Sequence, residues 1–527
     1  MASQIPPGDG EYGLYTPLTR WIALFAVMLG TVLEVLDVSV VNVAIPEMMG
    51  NLGATLDQIG WVSTGYIIAN VIILPLTGWL SAVFGRRRYL AGSMVLFTVA
   101  SVFCGTSRSL NELVFFRVMQ GVGGAALLST AQATLLEIFP PRQVGMVQGI
   151  FSLGVVVAPT VGPTLGGWIT DHYSWPWVFF INLPIGIVAT VLTLLFIKDS
   201  KYKHKANGGV DFLGIGFLAI GLGCLQTVLE RGNREGWLES SMISWLSVLS
   251  AVSMIAFVAW ELHTPNPAVN LRLFRYRTFV AGCAIGLILG FGLYGGIFIL
   301  PIFLQNLRHF NAEQTGLLLF PGGIASGITA LIVGRFVSKT DPRALLLFGS
   351  VCIIVSMLML HTITSDTGAS NLYWPLVVRG VGLGLIFVPL TFVTLTGLKG
   401  RDVSYGTGLF NLMRQLGGSV GIAYLSTVVD HRTAEHRAAL VEHISAFSPA
   451  TTLRIEQLQH MFVAKGMSVG VAHQQALKMI DNTVQLQAAV MAFEDAFLAI
   501  AIAFAVVLPL VFLFKKSTRP AGHALPD

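Results

Sequence analysis

Charge is what this sequence is short of. Only 11% of its 527 residues are Asp, Glu, Lys or Arg, while 54% are hydrophobic. A soluble domain carries about 25% charged residues, so the composition excludes an ordinary water-exposed globule and points to a membrane solvent. Cysteine is scarce too. Cys104, Cys224, Cys283 and Cys352 each stand alone inside an apolar run, which excludes a disulfide framework or a thiolate metal site and leaves small buried hydrophobes. There is no GxxxxGK[ST] phosphate loop, so the chain does not encode ATP-driven work. No HExxH and no Cys/His cluster suggests a metalloprotease, and a Ser nucleophile elbow is not expected. These absences argue against an enzyme and against any cofactor or metal. The first 19 residues are polar and lack a basic n-region or a small-residue cleavage site. The hydrophobic segment starting near Trp21 is therefore expected to be an uncleaved anchor.

What is present is a succession of apolar runs about 20 residues long. Lipid cannot hydrogen-bond a backbone, so spanning segments must be helices or closed barrels, and runs of this length select helices. They fall near 21–45, 58–82, 89–107, 112–136, 143–169, 176–197, 211–230, 242–261, 279–304, 313–338, 344–362, 372–396, 404–429 and 492–514, fourteen in all. Loop charge tests that count. With the N-terminus inside, 20 of the 32 basic residues fall on the cytoplasmic side, among them Arg86–Arg88, Lys198, Lys201, Lys203, Lys205, Lys339, Lys399, Lys515, Lys516 and Arg519. The short external loops hold four: Arg108, Arg231, Arg234 and Arg308. This asymmetry predicts both termini in the cytoplasm. The formal charge of +5 needs no nucleic acid to explain it.

The chain also repeats itself. GWLSAVFGRRR from Gly78 has a counterpart in GRFVSKTDPR from Gly334. FRVMQGVGGA, with Arg117, matches VRGVGLGLIF, with Arg379, 262 residues later; SLGVVVAPTVG at 152 matches QLGGSVGIAYL at 415, an offset of 263. A near-constant offset argues duplication, and parallel halves around a midplane site are a transporter architecture. The predicted organisation is a tail over 1–20, a six-helix half over 21–206, an inserted helix pair over 207–265 and a second six-helix half over 266–527. The long polar stretch 430–490 lies between the last two spans, on the periplasmic side. Leu453, Leu458, Met461 and Phe462 recur there at helical spacing, which predicts a helical hairpin whose second arm runs towards the last span. Its five histidines match no strong metal-site spacing and read as solvated helix faces.

Charges inside hydrocarbon are the informative residues, since each costs at least about 2.5–3.5 kcal/mol near the midplane. Glu34 and Asp37 share one face of the first span. A carboxylate able to gain and lose a proton at that depth is a candidate coupling site. The fourth span carries Arg117, with Gln120 on the same side; a guanidinium cannot deprotonate and needs an anionic or carbonyl partner, for which Asp37 is the candidate. Asn411, Arg414 and Gln415 form a polar seam in the thirteenth span, where Arg414 could hold an anionic cargo, relay a proton or serve structure alone. Gln120, Asn182 and Tyr294 are further candidates for a polar or aromatic-accepting cavity. Gly154, Gly162, Gly166 and Gly167 permit close helix approach in the fifth span, which Pro159 and Pro163 should bend.

Taken together, LDVSVVNVAIP (36–46), FRVMQGVGGA, GPTLGG (162–167), FINLPIG and NLMRQLGGSVG (411–421) resemble the EmrB/QacA branch of the major facilitator superfamily, the 14-helix drug:proton antiporters. The similarity covers nearly the whole chain and is greatest to the EmrB type. It implies export of lipophilic or amphipathic compounds driven by a proton gradient, with Asp37 as the proton-linked acid and Arg117 as the motif arginine. It also implies a bacterial inner membrane, a periplasmic adaptor and an outer-membrane channel. Export of one endogenous metabolite, such as a fatty acid or siderophore, is the alternative transport reading; a membrane enzyme or sensor is a third. The chain departs from the superfamily at the loop after the second span. Gly78, Gly85 and Arg86 are kept, but Ala82 and Val83 stand where an Asp and a basic residue are usual, which removes a charge pair from that loop.

Overall fold

A computed structural model of the chain describes residues 15–199, 210–364, 367–398, 400–445 and 447–514. The first fourteen residues of the tail, and the basic residues Lys201, Lys203, Lys205, Lys399, Lys515, Lys516 and Arg519, lie outside the described residues. All regular structure among those described is helical. In chain order the first half comprises α1 (Pro17–Leu52), α2 (Asp57–Phe84), α3 (Arg86–Thr106), α4 (Leu110–Ile138), α5 (Pro141–His172) and α6 (Trp177–Phe196). The inserted pair is α7 (Phe212–Arg231) and α8 (Ser241–His263). The second half follows as α9 (Arg277–Leu307), α10 (Ala312–Phe336), α11 (Pro342–Leu360), α12 (Ala369–Leu395), α13 (Arg401–Glu442), the short α14 (Pro449–Ala464) and α15 (Val469–Val507).

Local chemistry sets several of these ends. Thr16 Oγ1 accepts from the Thr19 amide at the start of α1, and Ser109 Oγ from the Glu112 amide at the start of α4. Asn311 and Gln314 close a reciprocal capping box on α10. Pro75 lies in a 3₁₀ turn, Leu74–Leu76, inside α2.

Among the described residues twelve helices are long and apolar enough to cross a membrane, thirteen counting α5, which bends by 43° between Pro159 and Val161. The bend lies at one of the two prolines that predicted it. The remaining segment, α13, has the length but is the most polar, and an architecture of fourteen spans is consistent with this set. Where the sequence pattern ends the thirteenth span at 429, the helix runs unbroken to Glu442. No Gly or Pro interrupts 422–442, and polar contacts hold the extension against α15: the ion pair of Arg437 with Asp481 at 2.7 Å and the hydrogen bond between His436 Nε2 and Asp495 at 2.9 Å.

Each half repeats the other's packing. In the first, α1 packs on α5, α2 on α4, and α3 on α4 and α6; in the second, α9 packs on α13, α10 on α12, and α11 on α12 and α15. The halves meet in equally symmetric pairs, α5 with α10 and α2 with α13. The repeated glycines explain these two seams. A Cβ at Gly78 would sit 2.8 Å from the Tyr405 backbone, and one at Gly334 would sit 2.5 Å from the Gly145 carbonyl. Only hydrogen side chains allow the backbones that close. Both contacts lie at the end of the bundle that carries Arg86–Arg88, Arg142 and Arg335.

Candidate functional site

Asp37 lies in the middle of α1, buried, and the first half converges on it. Arg117 on α4 donates to Asp37 Oδ2 at 2.6 Å, while Gln120 Nε2 and Asn182 Nδ2 each donate to Oδ1 at 2.9 Å. Arg117 also donates to the Val62 carbonyl at 3.0 Å and to Gln120 Oε1 at 2.8 Å, and its guanidinium carbon stands 4.3 Å from the centre of the Tyr66 ring. The ion pair is thus fully dressed, which is what a charge pair out of water requires. Gln120 and Asn182, read from sequence as cavity candidates, spend their amides on this carboxylate. Ser101, which nothing in the sequence singled out, accepts from Asn182 Nδ2 at 2.9 Å and fixes its orientation.

Glu34 lies one turn away and is held differently. Asn70 on α2 donates to Oε1 at 3.1 Å, but among the described residues Oε2 is buried with no hydrogen-bond partner, as are the Tyr66 hydroxyl and Asn70 Oδ1 beside it. Across the interface between the halves, Arg414 of α13 is 1% exposed, and none of its three guanidinium nitrogens has a hydrogen-bond partner among the described residues. It stands 5.1 Å from the Phe387 ring centre and is near enough to Glu34 to act on its charge, though the two form no ion pair. A turn earlier, Asn411 reaches into the first half and donates to Gln132 Oε1 at 2.9 Å. Gln415 is half-buried beside Arg414, and Tyr294 of α9 packs its ring against Gly418. Sequence spacing put Asn411, Arg414 and Gln415 on one face; their partners, Gln132 and Phe387, could be found only through space.

The glycines that the sequence singled out fall into two groups. Gly154, Gly162 and Gly166 seat α5 on α1, where a Cβ at Gly166 would stand 2.9 Å from the Val40 carbonyl. The Gly167 carbonyl instead accepts from Thr170 at 2.9 Å. At the loop after α2, Gly85 has φ +84°, a conformation only glycine takes without strain. The missing charge pair of this loop is supplied from elsewhere. Arg86 is buried and pairs with Glu137 at the end of α4, its other nitrogen donates to the Lys198 carbonyl at 3.0 Å, and the Arg87 amide donates to Asp199 Oδ1 at 3.1 Å. The loop is therefore not without an ion pair.

One sequence exclusion needs correction. Gly417–Gly421 spells GxSxG, the pattern of a serine nucleophile elbow. It lies within α13 rather than on a strand-to-helix turn, and Ser419 Oγ accepts from Gln226 at 2.8 Å, so the letters carry no catalytic geometry. Among the described residues no group of three His, Cys, Asp or Glu side chains could hold a metal ion.

Comparison with known proteins agrees with this architecture. The sequence profile described as Major Facilitator Superfamily matches residues 27–422. The chain is 36% identical over 505 residues to the multidrug export protein EmrB of Escherichia coli K12, covering 95% of this chain and 96% of that protein. It is 34% identical over 520 residues to the fatty acid resistance protein FarB of Neisseria gonorrhoeae, covering 98% and 99%. The crystal structure of the human organic anion transporter MFSD10 superposes with a TM-score of 0.60 at 13% identity, over 94% of this chain and 100% of that one, a likeness of fold alone.

Proposed function

The chain belongs to the major facilitator superfamily of membrane transporters, not enzymes, and on that premise we propose that it is a proton-driven antiporter exporting lipophilic or amphipathic drugs. One observation carries the reading: Glu34, a titratable acid, and Arg414, a fixed cation, are both buried and, among the described residues, both incompletely partnered, on opposite halves of the molecule. A proton arriving at Glu34 Oε2, the oxygen without a donor, removes the negative charge that Arg414 feels. Its departure restores the attraction and draws α1 and α13 together. Protonation thereby biases the two halves between two packings, and cargo bound between them is carried by the change. Asp37 is the second acid of the relay: a proton on Oδ2 would break its ion pair with Arg117, while Oδ1 could still accept from Gln120 and Asn182. The tight glycine seams at the arginine-rich end describe a state closed on that side.

The same reading places the chain in a bacterial inner membrane with both termini cytoplasmic. The extension of α13, with α14 and the start of α15, would then face a periplasmic adaptor and, through it, an outer-membrane channel. No cofactor is required beyond the proton gradient. The test is proton movement in proteoliposomes holding the purified protein, with a pH gradient imposed and lipophilic compounds added. Compound-dependent flux is expected from the native chain and not from Asp37→Asn or Glu34→Gln. Wild-type coupling retained in both variants would sink the mechanism. The similarity to FarB, a fatty acid resistance protein, favours a second reading, export of an endogenous lipophilic acid. Secretion profiling of a deletion strain separates the two.

A further inference from the structure

Arg379 is the duplicate of Arg117, and the two differ in one respect. Arg117 has Asp37 on α1. The counterpart of α1 in the second half is α9, and α9 contains no acidic residue; the repeat offset places Ile299 where Asp37 would be. Arg379 is only 7% exposed, yet among the described residues its sole hydrogen bond is a long one, NH1 to the Gly296 carbonyl at 3.4 Å, and no carboxylate pairs with it. An uncompensated guanidinium so deep in a helix bundle is costly, and it cannot shed its proton to escape. It faces a cavity of about 40 Å³, enough for a carboxylate-sized group. The walls are otherwise apolar: Pro159 from α5, Leu293 and Ile297 from α9, Leu319 and Gly322 from α10, and Leu376 from α12. One cation among aliphatic walls is complementary to one anion on an aliphatic body.

We propose that this cavity is a cargo subsite for the head group of a lipophilic carboxylate, which takes at Arg379 the place that Asp37 holds at Arg117. The inference rests on the transport reading and adds the site at which an acidic cargo would be held. Because Pro159 belongs to the first half and Arg379 to the second, an occupant touches both halves at the bend of α5. Its arrival would therefore be felt in how the halves pack.

The test uses three probes of one chain length, dodecanoate, dodecanol and dodecylammonium, binding to the full-length protein in phosphatidylcholine nanodiscs. The native chain is expected to bind dodecanoate roughly 10- to 100-fold more tightly than dodecanol, the effect of one charge-assisted contact, and dodecylammonium least. Arg379→Gln should erase the dodecanoate preference while leaving dodecanol unchanged, and Arg379→Lys should keep part of it. Equal affinities in the native chain, or a preference that survives Arg379→Gln, would overturn the proposal. Should Arg379→Gln not fold, a photoreactive dodecanoate on the native chain is the second measurement. Labelling of Leu319 or Leu376 supports the site, and labelling confined to other helices refutes it. Loss of the preference when phosphatidylglycerol is added would assign the cavity to a lipid head group and overturn the cargo assignment. Proton flux with neutral or cationic compounds but no carboxylate preference removes this inference alone. A carboxylate preference without proton flux for any compound removes the antiport reading and leaves the anion site.

Discussion

Replacing Gly78 by Ala should move the equilibrium between the two packings of the halves without unfolding either half. The new methyl would stand 2.8 Å from both the Cα and the N of Tyr405, and backbone atoms inside a helix cannot swing aside as a flexible side chain would. The nearest atoms belong to the opposite half, so the strain falls on the seam between α2 and α13 and not on the packing of α2 against α4. Overpacking of this kind costs about 1–3 kcal/mol. If the strain is relieved when the halves separate at this end, the closed-to-open ratio falls by roughly 5- to 150-fold. Spin labels at Arg88 of the first half and Ala344 of the second, both exposed, would read it as a new population at longer separation, with the four native cysteines replaced. Gly92→Ala is the control: nothing lies within 4 Å of a Cβ there, and no change in distances is expected. A Gly78→Ala protein with the native melting temperature and the native distance distribution would refute the idea that this glycine contact clamps the closed state.

Two further expectations concern other parts of the chain. Arg117→Met leaves the Asp37 carboxylate buried without its cation and should cost about 3–5 kcal/mol, read as a lower melting temperature in detergent; adding Asp37→Asn to it should recover part of the loss, and a double variant as unstable as the single would contradict the ion-pair account. Replacing residues 443–468, which hold α14, by a short Gly/Ser linker should leave compound-driven proton flux in proteoliposomes intact while abolishing capture of the purified adaptor; undiminished capture would remove α14 from the docking surface.

Much of this molecule was legible before any coordinates. The positions of the helices follow from a local rule, that a backbone in lipid must bond to itself, so runs of apolar residues suffice to place them. The duplication was legible because copied glycines and arginines keep their spacing. Asp37 and Glu34 stood out because charge is rare and costly in such runs. What the sequence could not supply was the partner of each charge. Arg117 and Arg379 occupy matching places in matching helices, and only the packing reveals that one is neutralised by Asp37 and the other faces a cavity. Glu137, distant from Arg86 in sequence, restores a pair that the loop motif itself lacks. Gly78 and Gly334 read simply as repeated letters until the fold set each against the backbone of the opposite half. The reason is physical: hydrophobic periodicity is written along the chain, but electrostatic compensation and close backbone approach are decided through space, between residues 50 to more than 300 positions apart.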